Sequence, residues 1–366
     1  MIRANLVAFP LAAAASLSSA GCIKQMLTDG QIAATRQAAD ALDTVGDYEL
    51  ARSGAQSGLT QFEGMHALAP SNDDALFLLT KGWTGYGFGF VEDEMEAAED
   101  AGDDDLAEYQ RKRARMAYDR ATFYGLQSIT ARADGFEQAK KSEQTLAKWL
   151  ADHFTSASDI PTLFWTGQGW MERVNVMKGD DNEGPAFVAE LYVGVSMVER
   201  AVALDPSFEH YSGLVTLGAY HARNGMAELD QAKQLFDTAL AKTEGKSLLV
   251  PLNYATKYAC VKADGVLYQD MLNRVLVAAD PDPHQRLENA IAKRRAKRWL
   301  GKKRVKDQCG IDLTAAAPSP APAAAPAPAQ TPGAVPAPPA PRAPAAAPAP
   351  AGRPAGAGGV APSAAK

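Results

Sequence analysis

The chain has 366 residues, a formal net charge of −6 and a hydrophobic content of 46%. That content is enough for a sizeable core in one large domain or two. The segment after Leu313 carries three basic residues and no acid, so the preceding residues are more acidic than the total suggests. Because nucleic acid requires a basic face, we predict no nucleic-acid partner.

Residues 1–21 have the pattern of an export signal. Arg3 is followed by the apolar run Leu6–Leu17, which is too short to span a bilayer as a helix, and small residues then lead to Cys22. This arrangement resembles a bacterial lipoprotein signal, in which the cysteine is acylated. We therefore predict a lipid anchor on Cys22. Because the adjacent residue Ile23 is uncharged, we predict that this anchor lies at the periplasmic face of the outer membrane. An ordinary signal peptide that ends near a cysteine is the alternative.

A sequence unit typical of stacked helical hairpins recurs between residues 22 and 313. A small residue is followed four positions later by a large apolar one, and a proline closes the helix, as in Gly58, Phe62 and Pro70. Related units begin at Ala114, Gly194, Ala232 and, more weakly, Gln269. The later spacings are close to the tetratricopeptide period of about 34 residues. We predict an all-α, tetratricopeptide-like domain over 22–313 whose hairpins stack into a superhelix.

Large aromatic residues stand among glycines over residues 82–90 and 163–170. Glycine inside a helix costs about 1 kcal/mol relative to alanine, so such clusters indicate either close helix packing or a cavity with aromatic walls. The rings therefore form an aromatic core or line an apolar ligand site. The candidate ligand-binding residues are Trp83, Tyr86, Phe88, Phe90, Phe164, Trp165 and Trp170. The spacing of Trp83, Tyr86 and Phe90 predicts that they share one helical face.

Two charged stretches interrupt the hairpin pattern. Ten acidic residues lie between Glu92 and Glu108, and ten Lys or Arg residues lie between Arg286 and Lys306. Because no EF-hand spacing supports calcium binding, we predict a solvated charged face for the acidic stretch. We predict a capping helix with a polar outer face for the basic stretch. A surface for anionic lipid headgroups or an acidic partner is the alternative there.

The cysteines and histidines give no sign of catalysis. If Cys22 is acylated, Cys260 and Cys309 remain, and they either pair in the oxidising periplasm or stand as separate thiols. None of the five histidines falls in an HExxH motif, and neither a GxSxG elbow nor a phosphate-binding loop occurs. We predict that the protein is not an enzyme and uses no metal or cofactor.

The segment 314–366 contains 15 of the 23 prolines and consists largely of alanine otherwise. This composition cannot build a core, so we predict a disordered Pro/Ala-rich tail. An inert extension is the interpretation we favour. A spacer that reaches through a cell-wall layer is the alternative.

Five segments resemble the TRAP transporter T-component family of TatT-like lipoproteins. The first, Gly82–Glu94, reads GWTGYGFGFVEDE, and the others are Arg120–Leu126, Pro161–Gly167, Glu199–Pro206 and Asn289–Ala296. They occur in order between about Cys22 and Leu300. The resemblance implies a tetratricopeptide-like periplasmic lipoprotein with a pore or cleft. It also implies association with a substrate-binding protein of a tripartite transporter.

We therefore predict a lipid-anchored helical-repeat protein that binds a small apolar or amphipathic ligand, a periplasmic substrate-binding partner, or both. An envelope-assembly scaffold that holds peptide or protein in its groove is the alternative. A through-going cavity lined by aromatic residues would favour the first function, and a shallow polar groove the second. The sequence leaves open whether the chain forms a homo-oligomer.

Overall fold

The computed structural model describes residues 25–223 and 228–313. The predicted signal peptide, the predicted lipidation site Cys22 and the predicted Pro/Ala-rich tail lie outside these residues. The all-α prediction is confirmed, since the described residues form helices and no strand. None of these helices is both long and apolar enough to cross a membrane.

The α-helices are α1 (25–39), α2 (Tyr48–Leu68), α3 (Asp73–Tyr86), α4 (Glu92–Ala101), α5 (Asp104–Arg132), α6 (Phe136–Ala139), α7 (Glu143–His153), α8 (Ile160–Met177), α9 (Gly184–Ala189), α10 (Leu191–Leu204), α11 (Phe208–His221), α12 (Leu229–Thr243), α13 (Leu249–Asn253), α14 (Gly265–Val277), α15 (Arg286–Trp299) and α16 (Lys302–Cys309). Within the described ranges, three 3-10 helices span Asp40–Thr44, Ala157–Asp159 and Pro283–Gln285, and two π-helices span Gly87–Val91 and Tyr254–Ala259.

Side-chain caps fix where several of these helices begin. Asp47 accepts hydrogen bonds from the backbone N–H groups of Glu49 and Leu50 at the start of α2. Asn72 caps α3 by accepting from the backbone N–H of Ala75. Each such cap satisfies a backbone donor that the helix cannot pair, and is worth typically about 1 kcal/mol.

Glycines allow the hairpin helices to approach closely, as the repeat unit predicts. On α8, a Cβ built on Gly167 would lie 2.7 Å from the carbonyl oxygen of Gly194 on α10. On α5, a Cβ on Gly125 would lie 2.2 Å from the hydroxyl oxygen of Thr166 on α8. Neither distance leaves room for a side chain, so the packing of α8 against both neighbours depends on these glycines.

The C-terminal helices return to the N-terminal part of the chain. Helix α15 packs against α2 and against the 3-10 helix Asp40–Thr44. Acids of α4 also pair with arginines of α15 and α16, in what we call the α4–α15 ion network. Its members are Glu92, Asp93, Glu96, Glu99, Asp100, Arg294, Arg295, Arg298 and Arg304.

This network is mostly buried. Arg298 Nη1 lies 2.7 Å from an oxygen of Asp93, whose side chain is 0% exposed. Arg295 Nη2 lies 2.8 Å from Glu96 Oε1 and 3.1 Å from Glu92 Oε2. The predictions of a solvated acidic face and a polar capping helix are therefore wrong for these residues. Opposite charges from distant parts of the chain compensate each other, and this allows both sets to be buried.

A disulfide ties α16 to the helical residue that directly follows the second π-helix. The Sγ atoms of Cys260 and Cys309 lie 2.01 Å apart, and both residues are buried. Of the two alternatives that the sequence left open, the structure has the paired one. The bond fixes α16, which supplies Arg304 to the α4–α15 ion network.

Candidate functional site

A cavity of about 800 Å³ lies between the N-terminal helices and the returning C-terminal helices. Helices α2, α3, α8, α11, α13 and α15 contribute to its wall, together with both π-helices. Since α15 forms one side, the return of the chain to its N-terminal part completes the cavity. The α4–α15 ion network therefore helps to hold the cavity wall together.

Five of the seven aromatic residues singled out in the sequence line this cavity. They are Tyr86, Phe88, Phe90, Phe164 and Trp165. The segments 82–90 and 163–170, which lie on α3 with its π-helix and on α8, thus face the same space. The indole N–H of Trp165 is buried and has no hydrogen-bond partner among the described residues.

Trp83 and Trp170 lie outside the cavity wall. Trp83 donates its indole N–H to Glu63 Oε1 at 2.8 Å, and the guanidinium of Arg120 lies 5.4 Å from its ring centre. Trp170 is buried and donates to the carbonyl oxygen of Glu190 at 3.0 Å. Both indoles therefore belong to packing between helices.

The glycines of the first π-helix bring its backbone close to neighbouring helices. A Cβ on Gly87 would lie 2.9 Å from the Tyr118 ring, and one on Gly89 would lie 2.8 Å from Ile291 Cδ1. Between these glycines, Phe88 lines the cavity. Close packing and cavity lining, which the sequence posed as alternatives, thus occur together. Thr256 and Lys257 of the second π-helix also line the cavity, and π-helical turns are frequent at functional sites.

Part of the wall carries an excess of carboxylates. We call Asp43, Glu209, Glu288 and Lys81, which all line the cavity, the acidic wall. Lys81 Nζ lies 3.6 Å from Asp43, 3.4 Å from Glu209 and 3.2 Å from Asp40. Burial opposes the charge on Lys81, but these carboxylates together raise its pKa. The ammonium is therefore held in its charged form.

Glu288 is the member of the acidic wall without a partner. Among the described residues, no donor hydrogen-bonds to its carboxylate and no base forms an ion pair with it. Burial raises the pKa of Glu288 to about 8, Glu209 and Asp43 add to the shift, and Lys81 opposes it. Near neutral pH this carboxyl group is consequently protonated for much of the time.

The backbone at Glu209 adopts a rare conformation. Glu209, His210 and Tyr211 have φ angles of 45°, 54° and 64°, which lie in the left-handed region. For residues other than glycine this conformation costs roughly 1–2 kcal/mol each. Such strain is found preferentially at functional sites, and here it places Glu209 on the acidic wall beside Lys81.

A second charged region of the wall contains basic and acidic groups in equal number. Lys178, Lys257, Glu92 and Glu172 line it. Burial lowers the pKa of Lys178, and the charge of Lys257 lowers it further. Burial and the charge of Glu172 raise the pKa of Glu92 to about 7, while Arg295 and a hydrogen bond from Tyr118 oppose the shift. Arg295, which pairs with Glu92 and Glu96, lines the cavity with Glu96, so three basic and three acidic groups meet here.

The wall of this cavity is amphipathic. Rings cover part of the wall, and charged groups of both signs occupy other parts. Within residues 25–223 and 228–313, His, Cys, Asp and Glu side chains form no group of three or more that could hold a metal ion. A ligand with an apolar body and a polar group fits these surroundings.

No local sequence signal identifies the residues of the acidic wall. Asp43, Lys81, Glu209 and Glu288 come from four separate elements, and no motif connects them. The local sequence of Glu288 gives no signal, because Glu288 lies within the basic stretch, for which the sequence predicts a capping helix with a polar outer face. Only the tertiary fold brings the four side chains together.

Stacked helical hairpins and this cavity define a helical-repeat protein with an internal amphipathic site. The model of the TRAP transporter T-component family matches residues 45–305, and the chain belongs to this family. It is accordingly a protein associated with TRAP transport, and the family is not a family of enzymes. No curated protein matches the chain.

Proposed function

We propose that the protein binds a small amphipathic ligand in the 800 Å³ cavity as part of a TRAP transport system. The observation that carries this proposal is the aromatic lining, in which rings from α3, the first π-helix and α8 meet on one cavity. The volume lies within the range of about 300–1,000 Å³ that is typical of small-molecule sites. The charged regions beside the rings would orient the polar part of the ligand.

We also propose that the chain is anchored by a lipid on Cys22 and works in the periplasm with a substrate-binding protein. Membership of the T-component family supports the link to such a transporter, and the sequence before Cys22 supports the anchor. A scaffold that binds peptide in a groove is the alternative, because stacked hairpins also form such grooves. The aromatic cavity favours the small-molecule ligand.

Replacing Trp165 by alanine is expected to weaken binding of diphenylhexatriene, an apolar fluorescent probe, about tenfold. The Trp165 ring lines the cavity, and its N–H has no partner among the described residues, so truncation breaks no hydrogen bond. Fluorescence titration gives the dissociation constant, and urea unfolding of the same sample gives the stability.

Trp83→Ala is the matched control for this prediction. Trp83 is also a tryptophan of an aromatic cluster, but it lies outside the cavity and donates to Glu63. The control is expected to lower the free energy of unfolding, while the probe's dissociation constant stays within about twofold of that of the unaltered chain. If both variants weaken binding equally, or neither does, the probe does not bind against Trp165.

A Cys22→Ser variant tests the anchor. Without the cysteine that accepts the acyl chain, the exported protein carries no lipid anchor. It should therefore move from the membrane to the soluble periplasmic fraction. Immunoblots of fractionated cells measure the change, with Cys309→Ser as a control that stays at the membrane. Retention of Cys22→Ser at the membrane would place the anchor elsewhere.

A further inference from the structure

The acidic wall has more negative charge than the protein itself neutralises. Lys81 is one ammonium, and it already forms ion pairs with Asp40, Asp43 and Glu209. Glu288 adds a further carboxylate to the same surroundings, and it feels the charges of Glu209 and Asp43. Lys81 neutralises one of these four carboxylates, so three negative charges remain when all four are ionised.

The carboxylate of Glu288 is open to the cavity. Glu288 lines the cavity, and no described residue donates a hydrogen bond to its carboxylate oxygens. Neither oxygen is completely buried, so both can be reached from the cavity. Glu288 is half-buried on α15, and burial is the largest influence on its raised pKa. An unpaired carboxylate in such a place is costly, and either a proton or a cation from the cavity can relieve that cost.

The acidic wall already holds one cation between carboxylates and an aromatic ring. Lys81 Nζ lies 5.5 Å from the centre of the Trp165 ring, within reach of a cation–π interaction, while carboxylates surround it. Phe88 and Phe164 line the same cavity. Aromatic faces combined with carboxylates form the kind of surface that binds ammonium groups.

The second charged region does not offer a comparable excess of positive charge. Three basic groups, Lys178, Lys257 and Arg295, line it together with three acidic groups, Glu92, Glu96 and Glu172, so positive and negative groups are equal in number there. None of these six is among the groups that shift the pKa of Glu288, which indicates that the two regions are separate. The imbalance that a ligand could neutralise is therefore at the acidic wall.

We propose that the ligand of this cavity is an organic cation whose ammonium group pairs with Glu288 and whose apolar body rests on the aromatic rings. This inference depends on the proposed function, because it names the chemical class of the ligand for the same cavity. A neutral apolar ligand and an anionic amphipath are the outcomes against which it is tested.

Three probes that share one fluorophore separate these outcomes. They are diphenylhexatriene, its trimethylammonium derivative and its propionic acid derivative, titrated into the folded chain at pH 8. The trimethylammonium probe is expected to bind most tightly. Glu288→Gln should raise its dissociation constant about tenfold and leave that of neutral diphenylhexatriene within about twofold.

Glu137→Gln is the control for the loss of one carboxylate, because Glu137 lies on the surface with its side chain 76% exposed. It should leave all three dissociation constants unchanged. If Glu288→Gln affects the trimethylammonium and neutral probes equally, or if the propionic acid probe binds most tightly, the inference is overturned while the cavity remains a ligand site. If none of the probes binds the unaltered chain, the proposed function fails with it.

The pH dependence gives a second readout. Glu288 pairs with a cation only when it is ionised, and its pKa in the empty protein is raised to about 8. Affinity for the trimethylammonium probe should therefore increase as the pH rises toward 8 and level off above it. The groups that act on Glu288 from other elements are Glu209, Asp43 and Lys81. Glu288→Gln should flatten the profile, and an unchanged profile in that variant would contradict the pairing.

Discussion

Replacing Arg295 by alanine is expected to lower the free energy of unfolding by about 3–5 kcal/mol. The Arg295 side chain is 8% exposed and pairs with Glu92 and Glu96, which are 11% and 10% exposed. Burial alone would raise the pKa of Glu96, but Arg295 and its neighbouring arginines hold it below its ordinary value. Without Arg295 the two carboxyl groups must take up protons or stay buried without their main partner. Urea unfolding at neutral pH measures the loss.

Arg286→Ala is the control on the same helix. Arg286 forms an ion pair with Asp280 at 2.6 Å, but both side chains are more than 40% exposed. An exposed pair contributes little because water and salt screen it, so this variant should unfold at nearly the same urea concentration as the unaltered chain. If Arg295→Ala lowers the free energy of unfolding no more than Arg286→Ala does, the α4–α15 ion network does not hold α4 to α15 as we infer.

The helical hairpins could be predicted because their signals are local. Gly194 was identified as the small residue of a repeat unit, and its backbone does meet Gly167 on the neighbouring helix. Such signals depend on residues three or four positions apart, which always share a helical face. The fold class therefore follows from the sequence alone.

The α4–α15 ion network could not be predicted in the same way. Each charged stretch, taken by itself, has the composition of a solvated helix face. Glu96 and Arg295 are separated by 199 positions, and no local pattern states that they meet. Both are buried because the C-terminal helices return to the N-terminal part of the chain, and no local sequence pattern predicts that return.

The candidate ligand site could also be predicted only in part. The sequence identified the rings of both aromatic segments but grouped Trp83 with Tyr86 and Phe90 on one α-helical face. In the structure the π-helix Gly87–Val91 begins directly after Tyr86. The Tyr86 ring nevertheless lies 6.2 Å from the Trp83 ring and 6.0 Å from the Phe90 ring, so the three side chains remain neighbours. Tyr86 and Phe90 line the cavity, whereas Trp83 lies outside its wall and donates to Glu63.

Loss of the disulfide between Cys260 and Cys309 is expected to lower the free energy of unfolding by roughly 4 kcal/mol. The two cysteines are 49 positions apart, and closing a loop of that length restricts the unfolded chain more than the folded one. Val305 of α16 is 0% exposed and packs in the same core without the bond. A Cys309→Ser variant should therefore keep its fold and unfold at a lower urea concentration.

The measurement uses the Cys22→Ser background, which leaves Cys260 and Cys309 as the only cysteines. Adding a reductant to this protein should reduce its stability to that of the variant that also carries Cys309→Ser. The same reductant should have no effect on that variant, because its remaining thiol has no partner. Alkylation after unfolding without reductant should label neither Cys260 nor Cys309. Labelling of both would mean that the disulfide is absent and that packing alone holds α16 against the cavity wall.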